Sequence, residues 1–160
     1  MVTLETIVSR VVRGYRKTAI FAVTTQCNCN CIMCDMWKQP QRRIKLEDAK
    51  EILDWLNEKK VLVSYFTGGE PTLHPDIAEI IQYSDSLGLV TSLTTNGTNP
   101  NSVKELKNLH TISVSYDHWD KNIWEKIRRH NKISERAEEA IKIAKRLSMR
   151  PYALTYMNPF

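Results

Sequence analysis

The stretch Gln26-Cys27-Asn28-Cys29-Asn30-Cys31-Ile32-Met33-Cys34-Asp35-Met36-Trp37 holds every cysteine of the 160-residue chain. Three of the four, Cys27, Cys31 and Cys34, have the spacing C-x3-C-x2-C, and Cys29 falls between them. The apolar, β-branched run Thr18 to Thr25 just before reads as a strand, which puts the cysteines on a loop at a strand's C-terminal end. That is where α/β folds usually build active sites. Disulfides explain the cluster poorly, because cysteines this close in sequence rarely reach the required geometry pairwise. Clustered thiolates in a reducing compartment read instead as ligands for a soft metal or an iron–sulfur cluster. A four-cysteine zinc site is the competing reading, although thiolate pairs separated by one residue are unusual for structural zinc.

Working outward, the composition suits one soluble globular domain, residues 1–160, with residues 1–17 as an N-terminal helical segment: 42% of residues are hydrophobic and 26% charged. No apolar run approaches a membrane span, and the N-terminus lacks a secretory leader, so the chain reads as cytoplasmic. The net charge of +5 is uneven. Ten Lys or Arg against four Asp or Glu lie between Lys121 and Arg150, which makes that segment a solvated helix face or a patch for an anionic substrate or nucleic acid.

Along the chain, apolar residues at helical spacing from Thr3 to Tyr15 predict a helix capped by Thr3, with Arg10 and Arg13 on its outer side and its apolar side plugging the core. Helices are expected over Leu46 to Lys60, Pro75 to Leu87, Asn101 to Leu109, Lys121 to Arg129 and Ser134 to Leu147. Strands are expected over Val61 to Phe66, Leu89 to Leu93, Thr111 to Ser115 and Tyr152 to Met157. This β-α alternation calls for a parallel sheet with right-handed crossovers. Polar, chemistry-bearing residues recur after each strand: the cysteines, then Thr67-Gly68-Gly69-Glu70-Pro71, then Thr94-Thr95-Asn96-Gly97, then Ser115-Tyr116-Asp117. Four successive strand ends facing one way form one pocket.

With these motifs the chain resembles the N-terminal part of a radical SAM enzyme core, a partial (β/α) barrel. Cys27-x3-Cys31-x2-Cys34 matches the cluster motif of that superfamily, and Gly68-Gly69-Glu70-Pro71 its second-strand motif. The resemblance implies that Cys27, Cys31 and Cys34 hold a [4Fe–4S] cluster, leaving one iron to bind S-adenosylmethionine (SAM). It implies that Gly68 and Gly69 let the backbone approach the methionine end and that Glu70 accepts from the methionine ammonium. Thr94 or Asn96 would reach the methionine or ribose, Ser115 the ribose or carboxylate, and Met33 the adenine. An electron donor such as a flavodoxin or ferredoxin would reduce the cluster, and hydrogen abstraction from a substrate would follow.

Other readings stand beside these. Gly68-Gly69 also reads as a plain turn, Glu70 as a helix-entry carboxylate and Asn96-Gly97 as a turn. Cys29 reads as an ordinary loop residue, Trp37 and Lys38 as packing and surface or as a border of the cluster, Asp117 as a ligand-positioning group or a helix cap, and His118 as the histidine nearest a strand end. The superfamily core has six strands and this sequence offers about five. The expectation is therefore a truncated portion of a longer enzyme, or self-association through the open fifth strand. The alternatives in function are an iron–sulfur and SAM-binding module without turnover, or a zinc-binding nucleic-acid protein.

Overall fold

The computed structural model describes residues 2–155. The elements are α1 (Leu4–Val12), β1 (Lys17–Thr24), α2 (Leu46–Glu58), β2 (Val61–Gly68), α3 (Ile77–Ser86), β3 (Val90–Thr95), α4 (Pro100–Val103), β4 (Thr111–Ser115), α5 (Lys121–Arg128), α6 (Ile133–Arg146) and β5 (Arg150–Leu154). The five strands form one sheet in the order β1-β2-β3-β4-β5, with every neighbouring pair parallel. This is the expected partial (β/α) barrel. The buried strand residues Phe66, Leu93 and Ile112 share one core with Leu53, Ile80 and Ile133 of the helices. Because side chains alternate along a strand, Tyr65 and Thr94 stand on the opposite, concave face, where the Tyr65 hydroxyl and Thr94 Oγ1 are hydrogen-bonded. After the cysteine loop the chain returns along the end of β1: Thr25 N donates to Arg42 O and Ile44 N to Val23 O. No helix among the described residues is long and apolar enough to cross a membrane.

Several boundaries differ from the sequence-based expectation. The chain between β2 and α3 first makes a short 3-10 turn at Pro71–Leu73, so α3 starts at Ile77 rather than Pro75. The helix expected over Asn101 to Leu109 is a single turn that continues as i→i−3 turns, with Leu106 N donating to Val103 O and Leu109 N to Leu106 O. These tighter turns align Val103, Leu106 and Leu109, all of which are buried in the core. The cap of α5 is Asp120, whose Oδ1 accepts from Asn122 N and Ile123 N, so Asp117 is released from that role. β5 begins at Arg150, and Tyr156 and Met157, expected to complete it, lie outside the described residues.

The N-terminal helix departs most. Thr3 caps it as expected, accepting from Thr6 N. Arg10, however, faces inward and is buried, while Leu4 and Val12 on the apolar flank are 76% and 80% exposed. The Arg10 guanidinium reaches three acceptors at the N-terminal end of the sheet: Leu87 O at 2.8 Å, Asn57 Oδ1 at 2.7 Å and Val61 O at 3.3 Å. It also lies over the Tyr15 ring, 3.9 Å from the centroid. These acceptors end α2, α3 and the loop into β2, and a guanidinium satisfies them where an apolar side chain could not. Arg10→Ala would leave them without a donor. It should lower the unfolding free energy by about 2–4 kcal/mol, read as a fall in urea midpoint at unchanged m-value; an unchanged midpoint would show that α1 is not anchored this way.

Candidate functional site

The four strand ends do converge. Cys27, Cys29, Cys31 and Cys34 line one cavity of about 180 Å³ together with Thr67, Gly68 and Gly69 after β2, Thr94, Thr95 and Asn96 after β3, and Ser115 at the end of β4. Met36, Trp37 and Arg128 complete the wall. A larger depression of about 690 Å³ lies elsewhere, lined by polar residues such as Lys50, Glu79 and Lys107, and contains none of the thiols. Met33, expected against the ligand, lines a neighbouring cavity of about 360 Å³ with Asp117 and Leu154; Ser115 and Arg128 border both. His118 is turned away, stacked on Trp119 and accepting from Asp120 N through Nδ1.

The glycines after β2 act first on the protein's own backbone. A Cβ on Gly68 would come within 2.1 Å of Thr24 O, and one on Gly69 within 2.2 Å of Gln26 O. Gly68 also has φ +136°, where side chains are strained. With both side chains absent, Gly69 N donates to Thr24 O at 2.8 Å and Glu70 N to Gln26 O at 2.7 Å, locking the base of the cysteine loop to the end of β2.

Glu70 takes the place of a helix-entry carboxylate, capping the 3-10 turn Pro71–Leu73 through Thr72 N. Its side chain is fully buried and absent from the cavity wall. Oε1 accepts from Thr72 N at 3.1 Å, Thr72 Oγ1 at 2.6 Å and Thr95 Oγ1 at 2.7 Å, while Oε2 accepts from Asn96 N at 2.6 Å. Burial holds the carboxyl above its ordinary value, and these hydrogen bonds offset only part of that. Asn96 is likewise engaged: Nδ2 donates to Asn28 Oδ1 at 3.0 Å and Cys29 Sγ at 3.3 Å, and Oδ1 accepts from Thr98 N at 2.9 Å. Both residues hold loops together, β2 to β3 and β3 to the cysteine loop. Part of this is local, since Thr72 and Thr98 each lie two residues on; the sequence could not show the rest, because Thr95, Asn28 and Cys29 come from other strand ends.

The thiols are not equivalent. Cys29 and Cys31 are buried, Cys27 is half-buried and Cys34 exposed. Burial pushes the Cys27 thiol up. The interaction of Cys29 with Cys31 holds Cys31 down and pushes Cys29 up; the Arg128 guanidinium beside Cys31 favours its thiolate further. Arg128 Nη1 lies 3.7 Å from Cys31 Sγ, and its Nε and Nη2 grip the Asp117 carboxylate, with Nη2 to Oδ1 at 3.0 Å. This ion pair went unseen in the sequence, where Arg128 is one cation of a basic helical run. The only signal was Asp117 at a strand end facing a helix eleven residues on.

The sequence comparisons agree with this arrangement. The family model for the radical SAM superfamily matches residues 21–159. The chain belongs to the radical SAM superfamily. Among its curated relatives, an AdoMet-dependent heme synthase of Methanosarcina barkeri is 32% identical over 59% of this chain and 29% of that protein. A probable GTP 3',8-cyclase of Pyrococcus abyssi is 33% identical over 66% of this chain and 36% of that protein. The chain thus spans about a third of the length of these relatives. Among solved structures, methylornithine synthase (PylB) superposes with a TM-score of 0.71 at 18% identity, over 93% of this chain and 49% of that one. Streptococcus suis SuiB bound to S-adenosylmethionine gives 0.65 at 17%, over 96% and 45%.

The donor set suits the cluster of a radical SAM protein. It is all thiol, on a loop that also aims N–H groups at sulfur: Met36 N donates to Cys34 Sγ at 3.4 Å. Among the described residues no three Cys, His, Asp or Glu side chains stand preassembled around one point. Glu70→Ala should lower stability by about 2–4 kcal/mol in urea unfolding, because buried donors lose their acceptor, and Glu70→Gln by less. A Glu70→Ala protein with wild-type stability and only weakened SAM binding would return the carboxylate to the ligand.

Proposed function

We propose that Cys27, Cys31 and Cys34 hold a [4Fe–4S] cluster, that the adjoining strand ends bind SAM, and that the protein is an enzyme of hydrogen abstraction. The observation that carries this is the convergence of the three motif thiols and the Gly68-Gly69 turn on one cavity, in a chain of this superfamily. Cys27, Cys31 and Cys34 would hold the cluster, which when bound and reduced would supply the electron for reductive cleavage of SAM. The chain's own residues bind and position. Gly68 and Gly69 present backbone at the wall, and Thr94 and Ser115 offer hydroxyls. Arg128 is the one cationic side chain among the described residues lining the cavity and supplies charge for a carboxylate. Glu70 and Asn96 act through the loops they hold, and Met33, in the adjoining cavity, offers a soft apolar surface to the adenine. The named relatives differ in reaction, so the shared radical chemistry carries over and no substrate does. A flavodoxin or ferredoxin is the proposed reductant, the proposed location is the cytoplasm, and the edge of β5 is proposed to pair with another strand.

Anaerobic reconstitution with iron and sulfide tests the ligands. Cys27→Ala, Cys31→Ala and Cys34→Ala should each lose the normal cluster, and Cys29→Ala should keep it; loss of iron and sulfide in Cys29→Ala would refute the assignment. Addition of SAM and dithionite to wild type should then release 5′-deoxyadenosine, measured by chromatography. A loaded cluster that binds SAM without releasing the nucleoside would identify a binding module instead.

A further inference from the structure

The 3-10 turn Met36–Lys38 follows directly on Cys34. Its first residue already donates a backbone N–H to Cys34 Sγ. The next, Trp37, lines the same cavity as all four thiols. The Trp37 Nε1 is shielded from solvent and has no acceptor among the described residues. An indole N–H donates only, and covering one without an acceptor costs about 1–3 kcal/mol. Three other buried nitrogens lack partners in the same way, Arg10 Nε, His110 Nε2 and Trp124 Nε1, but none belongs to a residue of the thiol cavity. The Lys38 ammonium lies 5.3 Å from the Trp37 ring centroid and is itself held by Asp35 at 2.6 Å, which steadies the ring.

We propose that the Trp37 indole N–H donates a hydrogen bond to sulfur of the cluster, at the Cys34 side, and raises its reduction potential. The proposal rests on the cluster assignment made above. Its physical basis is that reduction adds negative charge to the cluster sulfurs, so an N–H donor stabilises the reduced form more than the oxidised one. Of the four thiols Cys34 is the exposed one, and the following turn already donates to it through Met36 N.

The test compares anaerobically reconstituted wild type, Trp37→Phe, which keeps an aromatic ring without the donor, and Trp37→His, which restores a ring N–H. Iron and sulfide content, potential by EPR-monitored titration without SAM, and SAM affinity are measured on each. Trp37→Phe should keep its iron and sulfide while its reduced-to-oxidised ratio at fixed potential falls about tenfold, ~59 mV for a one-electron couple. Trp37→His should recover part of that shift. An unchanged potential in Trp37→Phe overturns the proposal; if SAM affinity alone falls, the donor serves SAM and not the cluster. Should Trp37→Phe fail to load, wild type carrying 15N-indole tryptophan decides alone, since a 15N coupling to the reduced cluster upholds the bond and its absence overturns it. Wild type that takes up no cluster sinks the assignment of the ligands themselves, and the proposal with it.

Discussion

The Glu70 carboxylate is enclosed by protein and accepts from two backbone amides and two hydroxyls. It joins the turn after β2 to the end of β3, and every other part of the site is placed relative to that joint. A buried carboxylate is costly unless it is fully hydrogen-bonded, and one that is fully bonded tolerates little displacement. The glycines beside it extend the constraint to β1, since only a backbone without Cβ can come so near Thr24 O and Gln26 O.

From this joint follows a division of labour at the strand ends. Polar side chains whose types suit ligand contact, Glu70 and Asn96, are used up in holding loops. Beside them the cavity wall carries the thiols, Thr67, Thr94 and Ser115, Trp37 and one guanidinium. That guanidinium is itself held by Asp117, so the cation beside Cys31 is fixed in direction as well as in charge. Pre-organisation of this kind places charge where it is needed without reorganisation during reaction.

The opposite end of the sheet is built for stability. Arg10 ties α1 to three acceptors there. Asp85 accepts from Val2 N at 2.8 Å and Asn108 Nδ2 at 2.7 Å, and lies 3.7 Å from His110 Nε2. Burial holds His110 below its ordinary value, which favours the neutral ring and fits its Nδ1 accepting from Thr91 N. In barrels of this type chemistry gathers at the C-terminal ends of the strands and structural polar contacts at the N-terminal ends.

What the sequence by itself determined was the alternation of strands and helices, the parallel order they require, and the gathering of Cys27, Cys31, Cys34, Gly68 and Gly69 at one end. These are local properties: period-two and period-3.6 patterns, turn residues, and motif spacing on single loops. The direction in which a polar side chain faces is not local. Glu70 turns inward because Thr95 and Asn96, a crossover away, supply its donors. Arg128 turns inward because Asp117 waits across the loop, and Arg10 because three carbonyl-type acceptors from separate segments meet beneath α1. A buried charge takes its place from partners that only the folded chain brings within hydrogen-bond distance, so tertiary structure alone decided which polar side chains face the cavity and which are buried in holding it in shape.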